Sequence, residues 1–257
     1  MSDKQLTWIE QQCVHLVPIE RQTIEVLGEE KAAFFLNAAN DCVRLGAAVY
    51  KAYPAEKGFD LMLPALGSFF KEARAFHTFF VTGDYSLLIS RLRFIWESIF
   101  RAYFVEHYPM RDTPPWPLPG PTIEEKILWL GEHGRHLRLD TCIEPVLLAV
   151  FPQAARNQEI FENCKEMFKY LHRYAHPSAY LLDRKMVKPA LLFTDAFDEE
   201  WARQALEIGA RVFALIWMAV FAHYPNAFEH VEPFEGKYPV VSEVFEREKG
   251  PMEAQGS

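Results

Sequence analysis

The residues with the most chemical reach in this chain close the stretch Phe161–Leu182, FENCKEMFKYLHRYAHPSAYLL. Histidine is the side chain whose ordinary pKa lies nearest neutrality, so His176 is the first residue to consider for moving a proton. Lys169, His172 or Arg173, and His176 recur at i, i+3/i+4 and i+7, which places them on one stripe of a helix. The stripe lies beside a buried face of Phe161, Cys164, Met167, Phe168, Leu171 and Ala175. Pro177 disfavours α backbone at the residue before it and so ends or kinks that helix at His176. There the negative end of the helix dipole favours the protonated imidazole. A proton donor fits this position; so does an ordinary residue closing a helix.

The second charged group lies in Tyr85–His107, YSLLISRLRFIWESIFRAYFVEH, which is apolar on most of its circumference and is expected at the centre of the fold. Arg93, Glu97 and Arg101 form an i, i+4, i+8 row along it. Burying such charges is costly unless they pair. The row reads either as an Arg–Glu–Arg ladder within the helix or as one side of a polar cleft shared with the 161–176 helix.

Other chemistries lack their residues. No Gly-rich loop precedes Lys-Ser/Thr, and neither GxGxxG nor GxSxG occurs. Cys13, Cys42, Cys142 and Cys164 are scattered without a CxxC pair and read as reduced core residues. His172-x-x-x-His176 spaces two imidazoles one turn apart, but Arg173 stands where a metalloprotease helix carries glutamate. His133-x-x-His136 is a weaker pair, and no two Glu-x-x-His motifs mark a di-iron bundle. No metal or cofactor is expected.

The elements that position these residues are helical. Half of the 257 residues are hydrophobic and 14% are aromatic, ample for a core. Twenty-seven basic against 35 acidic residues leave a charge of −8, so nucleic acid would have to be met by a local patch rather than by the overall field. The opening MSDKQLTWIEQQ has no apolar signal region, and the most apolar run, Val212–Ala222, is 11 residues against about 20 for a membrane span. A cytoplasmic protein with no membrane partner is the expectation.

Apolar spacing predicts a short helix over 3–16 ended by Pro18, and one long helix over 19–53, bent near Gly28. A helix within 59–81 starts late or kinks because of Pro64 and Gly67. Asp84 is the expected cap of 85–107, Thr122-x-x-Glu125 forms a capping box, and Asp195 or Asp198 caps a last helix running to about Tyr224. A short helix is expected over 139–150. Residues 109–121, with six prolines, make a stiff connector, through which Trp116 either packs onto the body or docks into a partner's aromatic groove; 248–257 is a frayed tail. No alternating strand pattern and no repeat is evident. The expectation is a single all-α domain over 1–257, an up-down bundle of four or five long helices with shorter ones added.

LLISRLRFIWESIFRAYFVEHY together with YLHRYAHPSAYLL resembles the HEPN-like helical domains of prokaryotes, which pair an Arg–Glu helix with a later helix ending in a His-Pro-Ser type of sequence. The resemblance covers roughly 40 residues of the two helices. It implies a helical bundle, a homodimer, a toxin–antitoxin or other phage-defence setting, and metal-independent RNA cleavage by a histidine with an arginine a turn or more before it. His176 matches the histidine. Leu171 and His172 occupy the places where the arginine would stand, and Arg173 is only three residues away.

The roles then follow from the chemistry of RNA transesterification, which needs a base, an acid and a cation for the phosphorane charge. His176 is the acid/base and His172 a possible second; Arg173, Lys169, Arg93 or Arg101 meets the phosphate; Glu97 orients a histidine or an arginine. Tyr170, Tyr174 and Tyr180 have rings that can stack on bases. Two other classes stay open: a non-catalytic module that dimerises or holds a protein partner, and a bundle enclosing an apolar ligand among its aromatic side chains.

Overall fold

Local hydrogen bonding accounts for every regular element in the computed structural model, which describes residues 16–53, 60–107, 122–134, 137, 142–144, 147–148, 154–175 and 197–230. The helices are α1 (Val17–Leu27), α2 (Glu29–Ala32), α3 (Phe34–Ala52), α4 (Met62–Val81), α5 (Tyr85–His107), α6 (Ile123–His133), α7 (Ala154–Ala175) and α8 (Glu199–His223), followed by a 3-10 turn, Pro225–His230. No strand occurs among the described residues, and the fold is all-α. The connector 109–121, the tail 248–257, His176, residues 3–15 of the first expected helix and most of the expected helix at 139–150 lie outside the described residues.

The helix expected over 19–53 is in fact three. Gly28, at φ +83°, ends α1 in a backbone region that favours glycine, and Ala33 interrupts the chain again before α3. Pro18 does not stop a helix. It sits in the first turn of α1, where its missing N–H has no intrahelical acceptor to lose. Pro64 likewise falls in the first turn of α4. Local capping accounts for the other boundaries. Asp84 Oδ1 accepts from Leu87 N at 3.2 Å, the Thr122/Glu125 box closes in both directions, and Asp198 Oδ1 accepts from Trp201 N at 3.1 Å.

Side-chain pairs give the directions in which neighbours run. Phe35 meets Phe80 while Gly46 lies against Phe70, so α3 and α4 are antiparallel. The three residues 82–84 turn α4 back into α5, with Gly83 at φ +83°. Tyr85 meets Trp201 at one end and His107 meets His223 at the other, so α5 and α8 run side by side in the same direction. α5 packs against α4, α7 and α8 and is the central helix that its composition predicts. α8 is buried on every side from Val212 to Val220. It alone among the described helices is long and apolar enough to cross a membrane, but 67% of its apolar window is buried inside the fold. Gly209 lets Phe35 approach α8 so closely that a Cβ there would lie 2.6 Å from the Phe35 ring.

Candidate functional site

The charged row on α5 faces α7. Glu97 holds both arginines, with Oε1 2.7 Å from Arg93 Nε and Oε2 3.5 Å from Arg101 Nη2. Arg93 and Glu97 are each 14% exposed, and the Arg93 guanidinium lies 5.1 Å from the centre of the Phe168 ring of α7. The ladder reading therefore describes the row along α5, and on the α7 side Arg93 meets the Phe168 ring. One carboxylate between two guanidinium groups leaves a net positive charge. Arg93 Nη1 and Arg101 Nε are buried and find no acceptor among the described residues. An unsatisfied buried donor costs about 1–3 kcal/mol, more when charged.

On α7 the spacing holds as far as the described side chains go. Cys164, Met167 and Leu171 are buried, and Phe168 packs edge-on to Trp96 of α5. Lys169 and His172 are exposed, with the His172 ring 6.3 Å from that of Phe168. Arg173 and Tyr174 have helical backbone, but their side chains, with all of His176 and Tyr180, lie outside the described residues. The structure thus joins Arg93, Glu97 and Arg101 to α7 through Phe168, and His172 stands one turn further along. Tyr170 donates from its hydroxyl to Gln204 Oε1 at 2.8 Å, a contact with α8. Between α7 and α8 opens a cleft of about 330 Å³, lined by Glu166, Met167, Tyr170, Gln204, Ile208 and Arg211 among others.

The described cysteines, Cys42, Cys142 and Cys164, are buried. Burial pushes the Cys164 thiol up to about 12, and burial followed by the Asp41 carboxylate pushes Cys42 well above its ordinary value. His133 stacks flat on Trp129 at 4.8 Å, a packing role. Among the described residues no three His, Cys, Asp or Glu side chains are grouped to hold a metal ion.

A second cluster was not anticipated. Because α5 and α8 are parallel, their last residues meet: His107 Nε2 lies 2.7 Å from His223 Nδ1. On its other side His223 Nε2 lies 2.9 Å from Asp60 Oδ2, and Asp60 also accepts from the Tyr224 hydroxyl at 2.7 Å and from Leu63 N at 3.0 Å. Burial alone would raise the Asp60 pKa, but the hydrogen bonds from His223 and Tyr224 and the charge of His223 hold it below the ordinary value. Burial, then the neighbouring His223, lowers the pKa of His107. The bonding pattern assigns the protons. An ionised Asp60 only accepts, so His223 carries its proton on Nε2 and accepts on Nδ1; His107 must then donate from Nε2, which leaves its Nδ1 lone pair free. Next to this chain Glu106 accepts from Leu61 N at 2.7 Å and pairs with Lys126 at 2.5 Å.

The sequence held one signal for this cluster: His-Tyr-Pro occurs at 107–109 and again at 223–225, closing α5 and α8. Asp60 had none, being far from both in the chain. Comparison of the chain with family models, with curated proteins and with solved structures returns no match.

Proposed function

We propose that this protein is a HEPN-like, metal-independent endoribonuclease of a defence or toxin–antitoxin type, acting in the cytoplasm as a homodimer. The observation that carries the reading is the shielded Arg93–Glu97–Arg101 row, with two buried guanidinium N–H groups that find no acceptor among the described residues, beside the helix that leads into His176. In an RNA-cleaving site Arg93 and Arg101 meet the phosphate, Glu97 holds both in register, and His176 and His172 handle the 2′-hydroxyl proton and the leaving oxygen. Lys169, Arg173 and Tyr174, on the same turns of α7, extend the binding surface for the strand.

RNA cleavage in the presence of EDTA tests this directly. The wild-type chain is expected to cleave, and His176→Ala or Arg93→Ala to lower the rate by about 10²-fold or more, the scale for losing a proton-transfer group or a charge-stabilising donor. Cleavage that needs a metal, or that survives both substitutions, sinks the nuclease reading.

A second reading, a non-catalytic module that pairs with another copy, is favoured by one feature of α3. Leu36, Val43 and Tyr50 are 47%, 51% and 72% exposed, and with the exposed Asn40 and Ala47 they form a seam at alternating four- and three-residue spacing. That is the spacing of a helix that packs along a partner helix. The apolar-ligand reading draws only on the abundance of aromatic residues, and in the described core those rings pack on one another: Phe35, Phe69 and Phe76 all lie against Phe213.

A further inference from the structure

We infer that Asp60, His223 and His107 form a proton relay ending in a general base, His107 Nδ1, and constitute a second reactive centre that hydrolyses neutral acyl esters. The relay runs Asp60 Oδ2 to His223 Nε2 at 2.9 Å and His223 Nδ1 to His107 Nε2 at 2.7 Å. It is held from three sides: by the segment before α4, the end of α5 and the end of α8. His223 is 11% exposed and fixed on both ring nitrogens, whereas His107, at the outer end, is exposed. A carboxylate that orients an imidazole and favours its charged form is the arrangement by which a buried acid makes a neighbouring base effective. Here a second imidazole takes the place of the usual hydroxyl, so the basic atom is a nitrogen.

The groups facing His107 define what it can act on. They are Glu106 and Tyr103 on α5, Asp60 before α4, Lys126 on α6, His223 and Tyr224 at the end of α8, and Tyr53 after α3, whose ring lies 5.0 Å from Tyr224. Among the described residues two carboxylates stand against one ammonium, beside the negative ends of two helix dipoles, a field that disfavours a phosphodiester and is compatible with a neutral carbonyl compound. The Tyr103 ring, 4.3 Å from the His107 ring, is buried and backs the imidazole from inside the core.

In the step itself, a water gives one proton to His107 Nδ1 while its oxygen bonds to the ester carbonyl carbon. The positive charge on the imidazole is shared through His223 toward Asp60. The carbon–oxygen bond to the alcohol then breaks, the leaving oxygen takes the proton back from Nδ1, and acid and alcohol are released with the relay restored. Lys126, already paired with Glu106, is the cation among the described groups near His107. His107 touches the reacting water; His223 and Asp60 are positioning residues.

The test is hydrolysis of p-nitrophenyl acetate by the full chain between pH 5 and 9, beside equimolar 4-methylimidazole. The protein is expected to exceed the free imidazole by about 10²-fold, and His107→Gln, at the exposed end, to fall to the imidazole level. Asp60→Asn is expected to lower the rate and to move the inflection of its pH profile downward, because the histidine pair loses its anion. Should Asp60→Asn not fold, Tyr224→Phe replaces it; stripping one hydrogen bond makes Asp60 more basic and moves the inflection upward. A wild-type rate equal to free imidazole, or full activity in His107→Gln, overturns the second centre. An inflection that does not move overturns the relay. The RNA reading plays no part in this argument, so either can fail alone.

Discussion

At the scale of single residues, the tightest constraint is steric rather than chemical. Phe35 is fully buried against Phe213, and Gly209 is the position that admits its ring. Gly209→Ala places a methyl 2.6 Å from that fully buried ring, so close that ring or helix must shift. The alanine's better helix propensity recovers only about 1 kcal/mol, so overpacking wins. We expect a net loss of about 1–3 kcal/mol in urea unfolding, with the helical circular dichroism of the native state unchanged. Glu97 is constrained in the other sense. It is the shared partner of two partly buried guanidinium groups, which is the arginine-orienting half of the role the sequence allowed.

At the scale of elements, α3 presents two faces of opposite character. One side buries Phe35, Ala38, Ala39, Cys42, Leu45, Ala48 and Val49, while the other exposes the Leu36–Val43–Tyr50 seam. Singly exposed apolar residues are ordinary; a row of them at heptad spacing is a helix surface suited to a partner. If homodimerisation uses this seam, Val43→Glu introduces a charge that the paired helices would have to desolvate. Sedimentation equilibrium should then show the dimer weakened about tenfold or more, equivalent to about 1.4 kcal/mol, with thermal unfolding of the monomer unchanged. Equal self-association in both proteins would remove α3 from the interface.

At the scale of the whole molecule, the Asp60–His223–His107 chain ties together three segments distant in sequence, and so couples stability to pH. The folded pKa of Asp60 lies below its unfolded value, so its contribution is present above about pH 4 and is lost as pH falls through the folded value. The folded pKa of His107 also lies below its unfolded value, so between the two the unfolded chain binds the extra proton. Stability therefore declines on acidification below about pH 6.5, first through His107 and then through Asp60. Urea midpoints measured from pH 8 to pH 4 should fall on acidification, and His107→Gln should flatten the part just below about pH 6.5. A midpoint that rises on acidification in that range would contradict the assignment.

What the sequence by itself determined is local. Apolar spacing, caps and glycines act within a turn or two, so the all-α class, the bounds of α5, the Asp84 cap and the Thr122 box were legible, while the choice of Asp198 over Asp195 was not. The break at Ala33 was not, because alanine is a good helix former and nothing nearby opposes it. Its context is tertiary: the adjacent Phe34 and Phe35 both lie against Phe213 of α8. The Arg–Glu–Arg row could be read from spacing, whereas the helix it faces was decided by how α7 lies on α5. The relay belongs wholly to the tertiary structure. His107 and His223 are 116 residues apart and Asp60 lies 163 from His223, and only the parallel packing of α5 and α8 brings their ends together. Periodicity reports which face of a helix is buried, but not which other helix covers it; that choice is made by long-range packing, and the chemistry follows it.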